Sequence, residues 1–512
     1  MSIRNLDYLL KPKSIAVIGA SREKSSVGAV LARNLFGGRF DGPILPVNPR
    51  HRFIQGVWTY SDITDLPMTP DLAVIATPAA TVPEIIHALG TAGTKAAVVI
   101  SAGFGESATS GGHALQQATL DAAQPFNLRI VGPNCLGILV PGLGINASFA
   151  QTTPEAGHLA FVTQSGAIVT SILDWANPRG IGFSHLISLG DMADVDFGDM
   201  LDYLANERNT RAILLYIEAI SDARKFMSAA RAAARMKPVI VVKAGRYQQG
   251  AQAATSHTGA LAGNDEVYDA AFRRAGMLRV YSLEELFDAA ETLAMQWRPQ
   301  GDRLAILTNG GGIGVLAADA IVEQGARAAE LAPETIERLN NVLPTAWSHS
   351  NPIDILGDAP GSRYTQALEI LSEDPNIDAT LVLNCPTAVA SSSDVARAVT
   401  ELAGNQRGKP LFTSWVGDAS VQEARRLFGA QHIPTYDTPE QAVRAFMHMV
   451  NYQRNQTLLM ETPPSVPEDF TPHPETVNGI IEQALGEGRS WLNEPEAKRV
   501  LAAYGVPVAE TQ

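Results

Sequence analysis

The 512-residue sequence predicts an α/β protein of several parallel-sheet domains, and three observations carry that expectation. Short β-branched runs end in glycine or serine turns and lead into helical segments, the pattern of a strand, a tight turn and a covering helix. This unit opens three successive regions, SIAVIGAS (14–21), LAFVTQSGA (159–167) and LAILTNGGG (304–312). Hydrophobic residues make up 46% of the chain but aromatic residues only 6%, with Ala, Val, Ile and Gly abundant, which suits packed parallel sheets covered by helices. At roughly 150 residues per domain, the length accommodates about three.

The first region reads as a doubly wound sheet. Its strands are SIAVIG (14–19), GPILPVNP (42–49), LAVIATP (72–78), AAVVISAGFGE (96–106) and RIVGPNCLG (129–137). Gly19 sits where a turn glycine is needed and Gly28 where a helix must pack closely, while Ser25 and Ser26 can cap a helix whose free N–H groups favour a phosphate. Ligand is expected at the carboxyl ends of the strands. An NAD site wants a carboxylate after the second strand; the chain offers Val47-Asn48-Pro49-Arg50, and the cation suits a phosphorylated ribose, as in NADP or coenzyme A. Thr77-Pro78 and Ala102-Gly103-Phe104-Gly105 are small enough to admit a long thin chain such as pantetheine. The same segments also fit ordinary βα loops.

In the second region the strand 159–162 runs into Thr163-Gln164-Ser165-Gly166, and the helix that follows carries Ile168, Val169, Ile172, Leu173 and Trp175 on roughly one side. Ser165 and Gly166 open that helix and form a ready anion site. AILLYIEAI places Glu218 at a strand's carboxyl end, as a capping or surface group, or as the acceptor that fixes the tautomer of an imidazole. The strand 239–242 then enters a long loop of small residues, YQQGAQAATSHTGALAG, with a helix starting near Asn264. His257 in this loop is either a solvated side chain or, with Glu218 and the Ser165 helix, a nucleophile with its orienter and phosphate holder. The histidines show no metal-ligand spacing.

The third region repeats the motif as Thr308-Asn309-Gly310-Gly311-Gly312, and ATLVLNCP and PLFTSWVG add strands to a flavodoxin-like sheet. After Gln456 the composition turns proline-rich and acidic, which reads as a linker. A formal charge of −14 argues against a nucleic-acid or anionic-membrane binder, though a local basic loop can still hold a small anion. Cys135 and Cys385 read as two buried reduced thiols, and the N-terminus lacks a signal-peptide core, so a cytoplasmic protein is expected.

KPKSIAVIGAS, GPNCLG, TQSGA, YIEAI, KAGR and SHTGALAG, in this order, resemble the NDP-forming acyl-CoA synthetases, relatives of succinyl-CoA synthetase. The resemblance covers essentially the whole chain. It implies a Rossmann-like CoA-binding domain (1–145) and two flavodoxin-like succinyl-CoA-synthetase-type domains (146–298 and 299–458). A linker (459–475) and the start of an ATP-grasp domain (476–512) follow, so a longer protein is expected. CoA or acyl-CoA is the implied ligand, with Gly19, Ala20, Ser21, Pro46, Asn48, Arg50, Thr77, Pro78, Ala102, Gly103 and Asn134 as candidate contacts. His257 is implied to be the phosphorylated histidine, Glu218 its hydrogen-bond partner, and Gln164, Ser165, Gly166, Asn309, Gly310, Gly311 and Gly312 the phosphate-binding groups of two helix starts. In the third region Asn351, Pro352 and Asp354 match the family pattern. A small carboxylic acid and phosphate would be the other substrates, ATP/ADP and Mg²⁺ would belong to the ATP-grasp domain, and a homo-oligomer is expected. GLGINASFA, SDARKFMSAARAAARMKP and AFMHMVNYQRNQ are most similar to the bacterial Pat-type protein lysine acetyltransferases. There this region is fused to ATP-grasp and GNAT domains, and some members keep it as an acyl-CoA sensor.

Overall fold

A computed structural model describes residues 3–104, 111–250, 264–294, 299–405, 409–461 and 471–509. All but one of the described strands have six residues or fewer, and β-branched runs supply many of their apolar residues. Ile15–Ile18, Ile44–Val47, Leu72–Ile75, Ala96–Val99 and Arg129–Val131 form the first sheet, all parallel. Ile44–Val47 lies on one side of Ile15–Ile18 and Leu72–Ile75 on the other. The strand order therefore reverses at the first strand, and the crevice between its end and that of Leu72–Ile75 is the place where doubly wound sheets bind ligand.

Gly19 makes that crevice possible. Its φ is +89°, and a Cβ there would lie 2.6 Å from the Ala76 carbonyl oxygen. The helix Val27–Phe36 then starts almost on top of the turn: a Cβ on Gly28 would come within 2.0 Å of the Gly19 oxygen. Ser26 caps the helix by accepting from the Ala29 N–H.

The second sheet has seven strands, in the order Leu278–Val280, Val239–Lys243, Ala212–Ile217, Ala156–Thr163, Phe183–Ser188, Gly137–Val140 and Ile145–Ser148. The last two form an antiparallel hairpin against Phe183–Ser188. This corrects the expected fifth strand at 129–137, because Arg129–Val131 closes the first sheet and the chain joins the second sheet from Gly137 onward. The continuous apolar pattern concealed a break at Gly132-Pro133-Asn134, where glycine and proline end the ladder. One core consequently runs through both sheets, with Leu6, Val17, Val98, Ile138, Ile187 and Leu215 in a single buried cluster.

The third sheet pairs Arg303–Thr308 with Arg327–Ala328, Ile353–Asp354 and Ala379–Asn384, followed outward by Leu411–Trp415 and Thr435–Tyr436, all parallel. The long helix Pro439–Met460 packs Ala442, Phe446 and Val450 against Leu304, Leu381 and Phe412 of this sheet. Its far end reaches the second sheet's side of the molecule, where the buried Asn455 amide donates to Met277 O at 2.7 Å. The change of composition after Gln456 therefore does not end the helix, which continues to Met460 because Leu459 is still buried. Residues 460–512 form a separate unit with helices Pro474–Gly486, which starts inside the expected linker, and Glu494–Ala503, capped by Asn493. Cys385 is half-buried rather than buried, since it stands just past the strand Ala379–Asn384.

Candidate functional site

Two neighbouring strand exits of the second sheet build the centre of the site. The buried Thr163 ends one strand; its hydroxyl accepts from Ser165 N–H at 3.0 Å and holds the turn. The helix Gly166–Ala176 begins there without a side-chain cap at Ser165, so the first-turn N–H groups are left for solvent or a ligand, at the positive end of the helix dipole. Beside it, Glu218 follows the strand Ala212–Ile217 and is 8% exposed. The carbonyl oxygen of the Gln164 side chain accepts from Glu218 N–H at 2.6 Å and from Ala219 N–H at 2.7 Å. Gln164 thus fixes the backbone that carries the carboxylate. Its side-chain oxygen faces the protein, not a phosphate, and the free helix N–H groups are those from Gly166 onward, since the Ser165 N–H is held by Thr163.

These residues line a cleft of about 630 Å³ between the first and second sheets. Thr77, Ser101 and Ala102 come to it from strand ends of the first sheet and Val27 from the helix that follows its first strand, Asn134 to Leu136 from the connection, and Phe149, Gln164, Ser165, Gly166, Thr170, Asp191 and Glu218 from the second sheet's side. Asn134 joins the two halves: its N–H donates to Ser101 O at 2.9 Å and its side-chain amide to Asp191 at 3.2 Å. Ser101 in turn donates to Thr77 O at 2.5 Å, tying two strand ends of the first sheet together. The wall is mixed, with hydroxyls and amides alongside Val27, Leu136 and Phe149, which suits a ligand with both polar and apolar portions. Cys135 also lines it, but burial pushes its thiol up to about 12 and it donates to Val99 O, so it remains a protonated thiol with no nucleophilic character.

Of the sequence-selected residues, Thr77, Ala102, Asn134, Gln164, Ser165, Gly166 and Glu218 meet in this cleft. Pro78 and Gly103 are the exposed residues directly after Thr77 and Ala102. Gly19, Ala20 and Ser21 form the adjoining first turn, locked by the Asn48 side chain, which donates to Ala20 O at 2.7 Å and accepts from Arg50 N–H. Asn48 is therefore turned inward to the turn, while Arg50 is exposed. Pro46 is buried within its strand and its carbonyl takes the Tyr60 N–H, so it packs instead of offering a ligand contact.

The turn from Asn309 to Gly312 lies on the third sheet and does not line the cleft. It repeats the geometry of the first: Thr308 Oγ1 accepts from Gly310 N–H at 3.0 Å, and the helix Gly311–Glu323 starts without a side-chain cap. The Asn309 side chain is spent on Cys385, donating to its carbonyl at 2.9 Å and accepting from its N–H at 2.8 Å. Asn351 is similarly structural, bridging Leu304, Ile306 and Ala329. His257 lies outside the described residues. A larger hollow of about 740 Å³ borders Arg129, Asp194, Asp199 and Lys225, but those charges satisfy one another, with Arg129–Asp199 at 2.9 Å and Lys225–Asp199 at 2.7 Å. It lies at the start of the strand Arg129–Val131, away from the carboxyl ends.

Three family descriptions match successive parts of the chain: a CoA binding domain over residues 13–141, a succinyl-CoA ligase like flavodoxin domain over 156–293 and a ligase-CoA domain over 304–470. The ADP-forming acetate–CoA ligase I of Archaeoglobus fulgidus is 40% identical over 506 residues, covering 98% of this chain and 71% of that protein. The chain belongs to the NDP-forming acyl-CoA synthetase family. Within this family, the alpha subunit of acetate–CoA ligase [ADP-forming] I from Pyrococcus furiosus is 38% identical and matches 88% of this chain and 98% of its own length. A solved acetyl-coenzyme A synthetase 1 of Candidatus Korarchaeum cryptofilum, in complex with phosphate and ADP, superposes with a TM-score of 0.80 at 36% identity, over 90% of this chain and 99% of that one. The α/β architecture of a CoA-binding domain followed by ligase-type flavodoxin-like domains is thus a property this synthetase-family chain shares with its relatives.

Proposed function

We propose that the chain carries the acyl-CoA half of an ADP-forming acid–CoA ligase reaction, with His257 as the phosphoryl carrier. The observation that supports this most is the shared cleft, in which an uncapped helix start and a buried carboxylate of the second sheet face the small-residue strand ends of the first. CoA runs along the ends at Gly19, Thr77 and Ala102, and its thioester reaches the Ser165 helix. Phosphate held there attacks the thioester carbonyl; the C–S bond breaks, CoA leaves as the thiol and acyl phosphate forms. The imidazole of His257, oriented by Glu218, then attacks phosphorus, and the P–O bond to the acyl group breaks to release the carboxylic acid. First-turn N–H groups of the helices that start at Gly166 and at Gly311 stabilise the charge on the transferring phosphoryl group. ADP on an ATP-grasp domain, whose opening residues 476–512 resemble, is the final acceptor, and Mg²⁺ belongs with that nucleotide. The acetate–CoA ligase relatives make acetyl-CoA the first substrate to try.

The decisive experiment incubates the chain with acetyl-CoA and radiolabelled phosphate. Acid-labile, base-stable label is expected on the wild type and is lost in His257→Asn, while CoA binding by calorimetry is unchanged. An unlabelled wild-type chain that still binds CoA overturns the catalytic reading. It is also the outcome demanded by the second reading, an acyl-CoA sensor for a protein lysine acetyltransferase, which rests on the Pat-like segments near residues 142–150, 221–238 and 445–456.

A further inference from the structure

Two turns at the cleft hold non-glycine residues in the left-handed backbone region: Asn134, with φ +56°, and Met192, with φ +52°. Such a conformation costs free energy that the surrounding structure must offset, and it gathers where geometry serves a ligand. Here the two turns hold each other. Asp191 N–H donates to Pro133 O at 3.0 Å and Ala193 N–H to Gly132 O at 3.1 Å, so the turn after Phe183–Ser188 is clipped to the turn after Arg129–Val131. One side chain from each turn, Asn134 and Asp191, lines the cleft.

The clip fixes which way the Asn134 amide faces. A carboxylate oxygen only accepts, and Asn134 Nδ2 lies 3.2 Å from Asp191 Oδ1, so the NH2 group is turned to Asp191. The backbone N–H is committed to Ser101 O at 2.9 Å. The amide oxygen remains; it accepts from no described residue and belongs to a half-buried side chain on the cleft wall. Its place along the sheet indicates which part of a ligand it meets. The strand order sets the exits of the first sheet in a row from Asn48 through Gly19, Thr77 and Ser101 to Asn134, with neighbouring strands about 4.8 Å apart. Asn134 is the last of the row, and from it the chain passes to the second sheet. A CoA thioester laid along these exits, with its reacting end toward the Gly166 helix, brings the final stretch of the pantetheine arm to Asn134. The carbonyls and the sulfur of that stretch only accept, and its one donor is the amide N–H nearest the sulfur.

We propose that the Asn134 side-chain oxygen accepts a hydrogen bond from this last pantetheine N–H, and that Asp191 is the positioning residue that aims it. The contact sets how far the thioester reaches toward the Gly166 helix, and it rests on the CoA path given above. The test is calorimetric titration of the full chain with CoA and with a CoA analogue in which that N–H is replaced by an ester oxygen. Wild type binds CoA roughly threefold to tenfold more tightly than the analogue, the worth of one hydrogen bond. Asn134→Ala binds the two alike. Asp191→Asn, which lets the two facing amides pair either way round, loses most of the preference. A merely structural role for Asp191 would weaken both ligands and leave their ratio unchanged. A wild type without the preference overturns the proposal, and an Asp191→Asn chain that keeps it in full overturns the positioning role. If Asp191→Asn and Asp191→Ser both bind neither ligand, the carboxylate serves folding and the positioning role is likewise overturned. A wild type that binds neither ligand, by contrast, removes the CoA path itself and this contact with it.

Discussion

Glu218 could be chosen from sequence because a carboxylate closing an apolar run stands out, but what holds it could not. Gln164 is separated from it by 54 positions, and its amide oxygen is the shared acceptor for two consecutive N–H groups at the strand exit. No periodicity marks such a bond; it follows from Ala156–Thr163 and Ala212–Ile217 being neighbours in the sheet. Asn48 and Asn309 behave alike, each read as a ligand contact and each turned to backbone groups. Short amides at strand ends serve this purpose because they offer donor and acceptor at once, and buried backbone groups left unpaired are expensive. Replacing Gln164 by Leu is expected to cost roughly 1–3 kcal/mol, the penalty for stranding buried donors, and to cut phosphohistidine labelling by about tenfold or more. Denaturant unfolding and the labelling assay read the two effects, and CoA affinity is expected to stay within about twofold, since Gln164 touches CoA at most through the cleft wall.

At the scale of elements, the chain has built one device twice. Thr163-Gln164-Ser165-Gly166 and Thr308-Asn309-Gly310-Gly311 share a buried threonine whose hydroxyl bonds the residue two ahead, an amide braced on the adjacent strand exit, and a helix that starts uncapped. In the third sheet Cys385 stands where Glu218 stands in the second, and the carboxylate beside that helix start is instead Asp354, next to Gly311. This repetition explains why TQSG and TNGG were both legible as anion turns, while their different positions relative to the cleft were not. Asn309→Leu, which removes both bonds to Cys385, is expected to lower phosphohistidine yield roughly threefold to tenfold through a misplaced helix start. CoA affinity should not change, because the cleft is lined by the first two sheets. Calorimetry and labelling separate these outcomes.

Across the whole molecule, the first two sheets share a core, and the helix Pro439–Met460 links the third sheet to the second through Asn455 and through Arg444, which is 3.6 Å from Asp288. Two buried histidines and the half-buried Asp288 give this assembly a pH dependence. Burial lowers His185 to about 4 and His448 to about 3, below the ordinary value of 6.5. The unfolded chain therefore binds protons that the folded one refuses, and stability drops as pH falls from about 6.5 toward 4. Asp288, raised by burial to about 6, works the other way: it favours the folded state at low pH, a contribution lost as pH rises from about 4 to 6. Burial raises Asp199 and Glu291 as well, but Asp302 and Asp378, held low beside arginines, add to the two histidines, so net destabilisation in acid is expected. His185→Leu should remove roughly 3 kcal/mol of the loss between pH 7 and 4, measured by urea unfolding at each pH.

By itself, the sequence determined the strands, the glycine and serine turns that follow them, and hence the α/β class and the carboxyl-edge location of ligand groups. These are written in spacings of two to four residues, and Gly19, Ser26 and Ser165 occupy the positions that local sterics and helix ends demand. Tertiary structure alone decided that residues 137–148 leave the first sheet for the second, that Thr77 and Glu218 face one cleft, that Pro46, Asn48 and Gln164 turn inward, and that Lys243 is buried. Strand order places residues far apart in the chain against one another, and the direction a side chain takes at a strand's end depends on which neighbour has an unpaired backbone group to offer.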